Sequence, residues 1–372
     1  MKFRYIFLFI LLIATSVTMA QKVTLGACTT KDGGEYKGEM QSGKPHGKGV
    51  TKWKNGNVFE GNYEKGKRQG FGIYTFFDGE KYEGQWFQDQ QHGQGTYYFS
   101  NNNKYVGLWY RDYQQGHGSM YYFNGDIYEG EWKQDKRHGT GRYTFKEGAY
   151  YDGEWANDKK NGKGVYNWGD GSSYDGQWKD NQRSGKGTFQ YADGDVYIGQ
   201  WAHDLQHGQG IYKFQNGDIY EGGYVDGQRT GQGVFRYANG DKYTGQFLNG
   251  DKSGQGMLVW KNGNTYQGEW KNDKPNGRGK LTMKNGDVFE GQFKHGKIHG
   301  EGIARYADGS KFKGHFENGK RQGPAIEEDK DGNRFEGSYV EDRRDGNFVE
   351  KDRNGNITAQ GTYNHGRRTL DR

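Results

Sequence analysis

Apolar positions in this chain are sparse, and they alternate. From Tyr128 to Trp132 the order is aromatic, acid, glycine, acid, aromatic, so Tyr128, Gly130 and Trp132 share one face of a strand while Glu129 and Glu131 take the other. From Gly141 to Phe145 the alternation returns, with Gly141, Tyr143 and Phe145 on one face and Arg142 and Thr144 opposite. The pattern predicts two short strands, joined by a loop near Lys133 to Gly139.

This stretch is one copy of a unit that recurs every 23 residues without insertion or deletion. The opening aromatics are Tyr36, Phe59, Tyr82, Tyr105, Tyr128, Tyr151, Tyr174, Tyr197, Tyr220, Tyr243, Tyr266, Phe289, Phe312 and Phe335, which makes 14 copies. Counting the opening residue as offset zero, offset two is Gly in every copy, and offset four is aromatic in all but one, where Met40 stands. Gly recurs at offsets eleven and thirteen, so Tyr128, Gly130, Trp132, Gly139 and Gly141 define the repeat. Between copies the chain reads Asn-Gly or Asp-Gly at 12 of 14 junctions, as at Asn124 and Asp193. Those dipeptides tolerate positive φ at both central positions of a tight hairpin. Every strand is therefore expected to pair with its sequence neighbours.

A strand glycine weakens its strand unless something covers it, and a ring from the adjacent strand can lie over the bare backbone. The expected fold is all-β: an elongated single antiparallel sheet of consecutive β-hairpins, twisted along its length, with one aromatic face and one polar face. Residues 36–334 form the regular array. Residues 21–35 read as an N-terminal half-repeat cap, and 335–372 as a degenerate repeat and C-terminal cap, where Ala325 and Phe348 replace the offset-thirteen Gly.

Composition changes the picture in one respect. Only 31% of residues are hydrophobic, yet 16% are aromatic and 66 are Gly. Such a chain buries rings against glycine backbone rather than building a thick aliphatic core. Residues 1–20 stand apart. Lys2 and Arg4 precede a mostly apolar run from Tyr5 to Val17, and Thr18-Met19-Ala20 places small residues before a cut at Gln21, as in a secretory signal peptide. An uncleaved anchor is the other reading. The run falls short of the roughly 20 residues a spanning helix needs. The expected location is thus periplasm, cell envelope or exterior. Without residues 1–20 the chain holds 51 basic and 47 acidic residues, a net charge of +4. A nucleic-acid binder carries a steeper basic excess, so nucleic acid is not an expected partner. The single cysteine, Cys28, excludes an intrachain disulfide. Leu25-Gly26-Ala27 before it looks like a lipidation box, but the register places Cys28 within a strand.

A 23-residue unit of the form YEGEW, loop, HGxGxYxF, then DG or NG resembles the MORN repeat. Tyr128 to Trp132 and His138 to Gly141 carry the likeness, and it extends over residues 26 to about 355. The resemblance implies a β-hairpin array used as a scaffold for protein contact, for self-association and, in some members, for binding acidic phospholipid. It implies no cofactor.

No candidate catalytic site emerges. The G-x-G pairs at offsets eleven and thirteen lack the further Gly at offset sixteen that a dinucleotide loop needs. His203 with His207, and His295 with His299, have the spacing of helical zinc ligands but fall in expected hairpin loops. Asp329, Asp331 and Asn333 space oxygens like a calcium loop, yet Val340 stands where its closing Glu belongs. Acids at offset one, such as Glu60, Glu83 and Glu129, read as a solvated ladder rather than a catalytic pair. Two binding surfaces remain. Trp86, Trp109, Trp132, Trp155, Trp178 and Trp201 are candidate interaction aromatics, with a purely structural layer as the plainer reading. Lys65, Lys67, Arg68, Lys136, Arg137, Lys159 and Lys160, placed in the loops, form a candidate basic edge for anionic lipid or polysaccharide, with a solvated edge as the plainer reading. The leading expectation is a non-enzymatic protein-binding scaffold, a protein partner or a second copy being its ligand.

Overall fold

The computed structural model describes residues 22–371, so the leader read in residues 1–20 lies outside them. The described residues fold into 31 strands and no helix. They form two units. One runs to Lys146 and takes in Ala156–Asp158, and the other comprises Glu147–Trp155 and the chain from Lys159 on. Within each unit, strands follow one another as antiparallel hairpins. In the first, Tyr113–Tyr121 pairs with Ile127–Lys133, which pairs with Lys136–Thr144. In the second, Lys159–Asn167 pairs with Ser173–Lys179, which pairs with Gln182–Gln190. The alternation of rings and polar residues is enough to specify this meander, because each strand exposes one face and pairs locally.

The turns differ from expectation in kind. The loop expected over residues 133–139 shrinks to two residues, Gln134 and Asp135, with φ of 51° and 63°. Lys133 already pairs with Lys136. It is here, inside the repeat, that both turn positions are left-handed. At the Asn-Gly junction only the glycine is: Gly125 has φ of 94°. The Gly125 N–H donates to Tyr122 O at 3.0 Å, and the Tyr122 N–H to Asp126 O at 3.0 Å. That is a three-residue loop closed by a glycine bulge. Asn124 serves it differently from the expected positive φ, since its Oδ1 accepts the Asp126 N–H at 3.1 Å.

A bulge explains the offset-eleven glycine. Gly130 pairs with Gly141, but Trp132 pairs with Arg137, leaving residues 138–140 opposite Glu131. Gly139, inside that bulge, has φ of 61°. The amide freed by the bulge is claimed by the Glu131 carboxylate, which accepts the Thr140 N–H at 3.0 Å and its hydroxyl at 2.8 Å. Those bonds hold the Glu131 carboxyl below its usual range. Gln177 and Gln246 do the same for the Lys186 and Gln255 amides. The acid or amide at offset three is therefore a backbone cap, a role the strict alternation concealed.

The core is one layer of rings seated on glycine. The Tyr128 ring covers Gly141 on the paired strand, as expected, and its hydroxyl also reaches Gly130 on its own strand. A methyl group added at Gly141 would stand 2.3 Å from Tyr128 Oη. That hydroxyl donates to Glu131 O at 3.0 Å. Trp132 then meets Tyr128 edge-on at 5.2 Å and Tyr105 of the preceding repeat at 5.3 Å. Edge-to-face contacts of this kind add to the burial they accompany. Near the C-terminus the seat changes. Phe312 and Phe335 lack the hydroxyl, and Ala325 and Phe348 occupy the offset-thirteen position, with Phe335 stacked on Phe348 at 5.9 Å. At the other end, Cys28 sits in the strand Thr24–Thr29, opposite Tyr36.

Candidate functional site

The six tryptophans put forward as interaction aromatics are core residues. Trp86, Trp109, Trp132, Trp155, Trp178 and Trp201 are each only 5 or 6% exposed. Trp178 Nε1 donates to Gly164 O at 3.0 Å, and Trp86 Nε1 to Gly72 O at 3.2 Å, tying each ring to the preceding repeat. Their rings have little area left for a sugar or a second copy, because neighbouring tyrosines close their edges and a further residue covers the face.

At Trp86, Trp178 and Trp201 that further residue is the offset-nine cation, whereas beside Trp109 and Trp132 offset nine is Gln91 and Gln114; the inward cations divide the expected basic edge. Lys65 lies in a turn, and Lys67, Lys136 and Lys159 start their strands, all exposed. Arg68, Arg137 and Lys160 follow one residue later and turn inward over the rings. The Arg68 guanidinium lies 4.5 Å from the Trp86 ring, while its Nη2 donates to Asp89 O at 2.9 Å. Arg137 pairs through Nε with Asp158 Oδ1 at 3.1 Å. Arg183 lies 4.4 Å from Trp201 and donates to Asp204 through Nε at 3.2 Å and through its backbone N–H at 2.9 Å. Lys160 stands 4.3 Å from Trp178, and burial lowers its pKa to about 8. The two-residue turn is the cause: it starts the second strand early, and offset nine falls on the ring face. An aromatic ring, a guanidinium and a turn aspartate thus form a recurring triad.

The aspartate serves the turn and the cation together. Asp204→Ala is expected to cost about 2 kcal/mol, since it strips the acceptor from the Arg183 backbone N–H and from its Nε, leaving only the bond from Nη2 to the backbone carbonyl. Asp112→Ala removes an acceptor from the Gln91 amide alone and is expected to cost about 1 kcal/mol. Urea unfolding of the two variants measures the difference.

On the opposite face the repeat opened by Tyr105 breaks the polar pattern. Val106 and Leu108 occupy offsets one and three, and Tyr110 and Tyr113 occupy offsets five and eight, all exposed; the two tyrosines are about half so. Other repeats put Glu129, Glu131, Lys133 and Lys136 at those offsets. Exposed Phe87, Tyr98 and Tyr121 extend the patch. His92 lies between Phe87 and Tyr110 at 5.5 and 5.3 Å, and the ammonium of Lys104 sits 4.6 Å from the Tyr121 ring. The signal was present in the sequence as four apolar or aromatic residues at offsets where the repeat opened by Tyr128 has charges.

The row of offset-nine cations also has a gap. At offset nine, Gln91 and Gln114 stand where Arg68 and Arg137 stand in the flanking repeats. A groove of about 660 Å³ opens there, lined by both glutamines, Trp109, Trp132 and the turn aspartates. Asp329 Oδ1 accepts the Asp331 and Asn333 N–H groups at 2.9 and 2.8 Å, so this carboxylate serves its own turn. Among the described residues, no three His, Cys, Asp or Glu side chains are grouped to hold a metal.

Equal β-hairpins stacked in register, each seated by a ring over paired glycines, define a hairpin-repeat protein. The MORN-repeat family model matches 13 consecutive stretches without a gap, from 36–58 to 312–334. The chain belongs to the MORN-repeat family; the copy opened by Phe335 lies beyond the matched residues. A comparison with curated proteins gives no match. Among solved structures, the TCP10 domain of Danio rerio CPAP is similar at 13% identity, over 59% of this chain and 98% of that one, with a TM-score of 0.31. The same domain in complex with a peptide of Danio rerio STIL aligns at 13% identity over 73% and 100% of the two chains, with a TM-score of 0.26. The TCP10c domain of Drosophila melanogaster Sas-4 aligns at 17% identity over 40% and 90%, with a TM-score of 0.25. Likenesses this distant carry no argument about what this chain does.

Proposed function

We propose that this MORN-repeat protein is a non-enzymatic scaffold, exported under the leader in residues 1–20, that binds another protein through the polar-side face of its first unit. The observation that carries the reading is the patch of Val106, Leu108, Tyr110 and Tyr113. Exposed rings and aliphatic groups contiguous on one face of the sheet mark a contact surface, because leaving them in water gains nothing for the fold. Tyrosine suits such a surface, having an apolar body and a polar tip. Lipid or polysaccharide is the weaker reading, since Arg68, Arg137 and Lys160 are already engaged by the chain's own rings.

The test replaces each residue with one the array itself uses at that offset: Val106→Glu, Leu108→Gln, Tyr110→Lys and Tyr113→Lys. The fold is expected to melt within a few degrees of the parent, because the replacements reproduce neighbouring repeats. Protein partners captured from the native host by the parent should be lost, with no gain in binding to anionic vesicles. Capture of the same partners at the same yield by the variant removes the patch from the mechanism. Light scattering reports self-association separately. Export is checked by the N-terminus of the mature chain, expected at Gln21.

A further inference from the structure

We propose that the groove at Gln91 and Gln114, where the row of cations is interrupted, is a docking slot for arginine side chains of a partner protein, one guanidinium for each missing offset-nine cation. It rests on the protein-partner reading but lies on the opposite face of the sheet from the patch above.

The chain itself shows which chemistry the slot takes. In the repeats on either side, the space over the tryptophan is filled by Arg68, between Trp86 and Asp89, and by Arg137, held by Asp158. At the gap the rings and acids remain. Trp109 and Trp132 keep their places, and Asp112 and Asp135 keep theirs, each accepting one backbone N–H at 2.8 Å, from Gln91 and Gln114. Neither aspartate has an ion-pair partner among the described residues. Both carboxylates are exposed and free on their outer oxygen to receive a cation.

The glutamines give the second, independent sign. Gln91 and Gln114 are only 7% and 5% exposed, and both line the groove. Neither side-chain amide has a hydrogen-bond partner among the described residues. Gln206, at the same offset, shows how the array otherwise settles such an amide: its Nε2 donates to Tyr191 Oη at 3.1 Å. The residues that correspond to Tyr191 are Phe76 for Gln91 and Phe99 for Gln114, and neither has a hydroxyl. Their amide atoms reach the water of the groove, where a ligand can bond them. An incoming guanidinium donates to the amide oxygen and to the aspartate at once. Arginine fits better than lysine, whose compact ammonium cannot fork between two acceptors. The two slots are one repeat apart, two strand spacings or roughly 10 Å, so two arginines of one partner segment can occupy both.

The test uses the purified protein and three synthetic peptides: acetyl-Gly-Arg-Gly-Gly-Arg-Gly-amide, its lysine analogue and its citrulline analogue. Calorimetry and tryptophan fluorescence are expected to show the arginine peptide binding, lysine weaker and citrulline weaker still, by roughly tenfold per step. Gln91→Arg with Gln114→Arg, which completes the array's own pattern, should abolish binding. Should that variant fold poorly, Asp112→Asn with Asp135→Asn carries the test, because Asn181 already accepts the same turn amide from Lys160; binding should fall at least tenfold. No binding of the arginine peptide, equal binding of citrulline, or unchanged binding by the filled variant overturns the slot. Partner capture by the filled variant separates the two ideas: if capture persists while peptide binding is gone, the scaffold reading stands without the slot.

Discussion

Alanine at Gly141 is expected to destabilise the protein by about 3 kcal/mol, at the upper end of what overpacking costs. The added methyl would meet Tyr128 Oη at 2.3 Å and Cζ at 2.6 Å. The ring cannot swing aside, because its hydroxyl is bonded to Glu131 O and its edges meet Trp132. At the partner position the obstacle is backbone: a methyl on Gly130 would lie 2.4 Å from the Gly141 Cα. Separating the strands to make room breaks their ladder, and in a repeat array the damage uncouples the neighbours on either side. Urea unfolding followed by circular dichroism measures the loss. Tyr128→Phe removes the nearest clashing atom, at a cost of about 1 kcal/mol for its hydrogen bond. In that background Gly141→Ala should cost at least 1 kcal/mol less, a positive coupling in the double-mutant cycle. The chain carries a natural precedent in Phe312, without a hydroxyl, above Ala325. A neutral Gly141→Ala would end the ring-on-glycine account of the core.

The second large effect is alkaline unfolding. Burial raises the pKa of every opening tyrosine, Tyr36 and Tyr220 to about 12 and Tyr82, Tyr105, Tyr128, Tyr174 and Tyr243 beyond. In the unfolded chain these phenols ionise near 10. A folded pKa above the unfolded one means stability is intact below pH 10 and falls as pH rises from there through about 12. The slope is about 1.4 kcal/mol per pH unit for each phenol that folding keeps protonated. Many phenols in one array make the fall steep. Ionisation also abolishes the bond each hydroxyl donates, as from Tyr174 to Gln177 O at 3.0 Å. The share of the phenolate absorbance near 295 nm that comes from the buried rings should therefore rise together with loss of the far-ultraviolet β signal, in one transition above pH 10. A smooth phenolate titration centred on pH 10 with the fold intact would contradict the burial of these rings.

What could be read from residues alone was what is local. Period-two alternation at Tyr128 to Trp132 assigns faces, the 23-residue register assigns neighbours, and Asn-Gly or Asp-Gly marks where the chain reverses. Hairpins between sequence neighbours need no further information. The error in the turns was one of type: Asn124 acts through its side chain, and Gln134 and Asp135, which carry no obvious signature, adopt the doubly left-handed turn.

The site depended on contacts that no short stretch contains. A one-residue slip moves a strand residue to the other face, so the destination of Arg137 hung on a turn two residues long and a bulge at Gly139. Placed in a loop, Arg137 is a surface charge; placed in a strand, it covers rings. Whether Gln91 is satisfied depends on residue 76, fifteen positions earlier, and whether Asp112 holds a cation depends on residue 91, twenty-one positions earlier. Composition and spacing list these groups, but antiparallel pairing is what carries a phenyl ring instead of a phenol to the Gln91 amide.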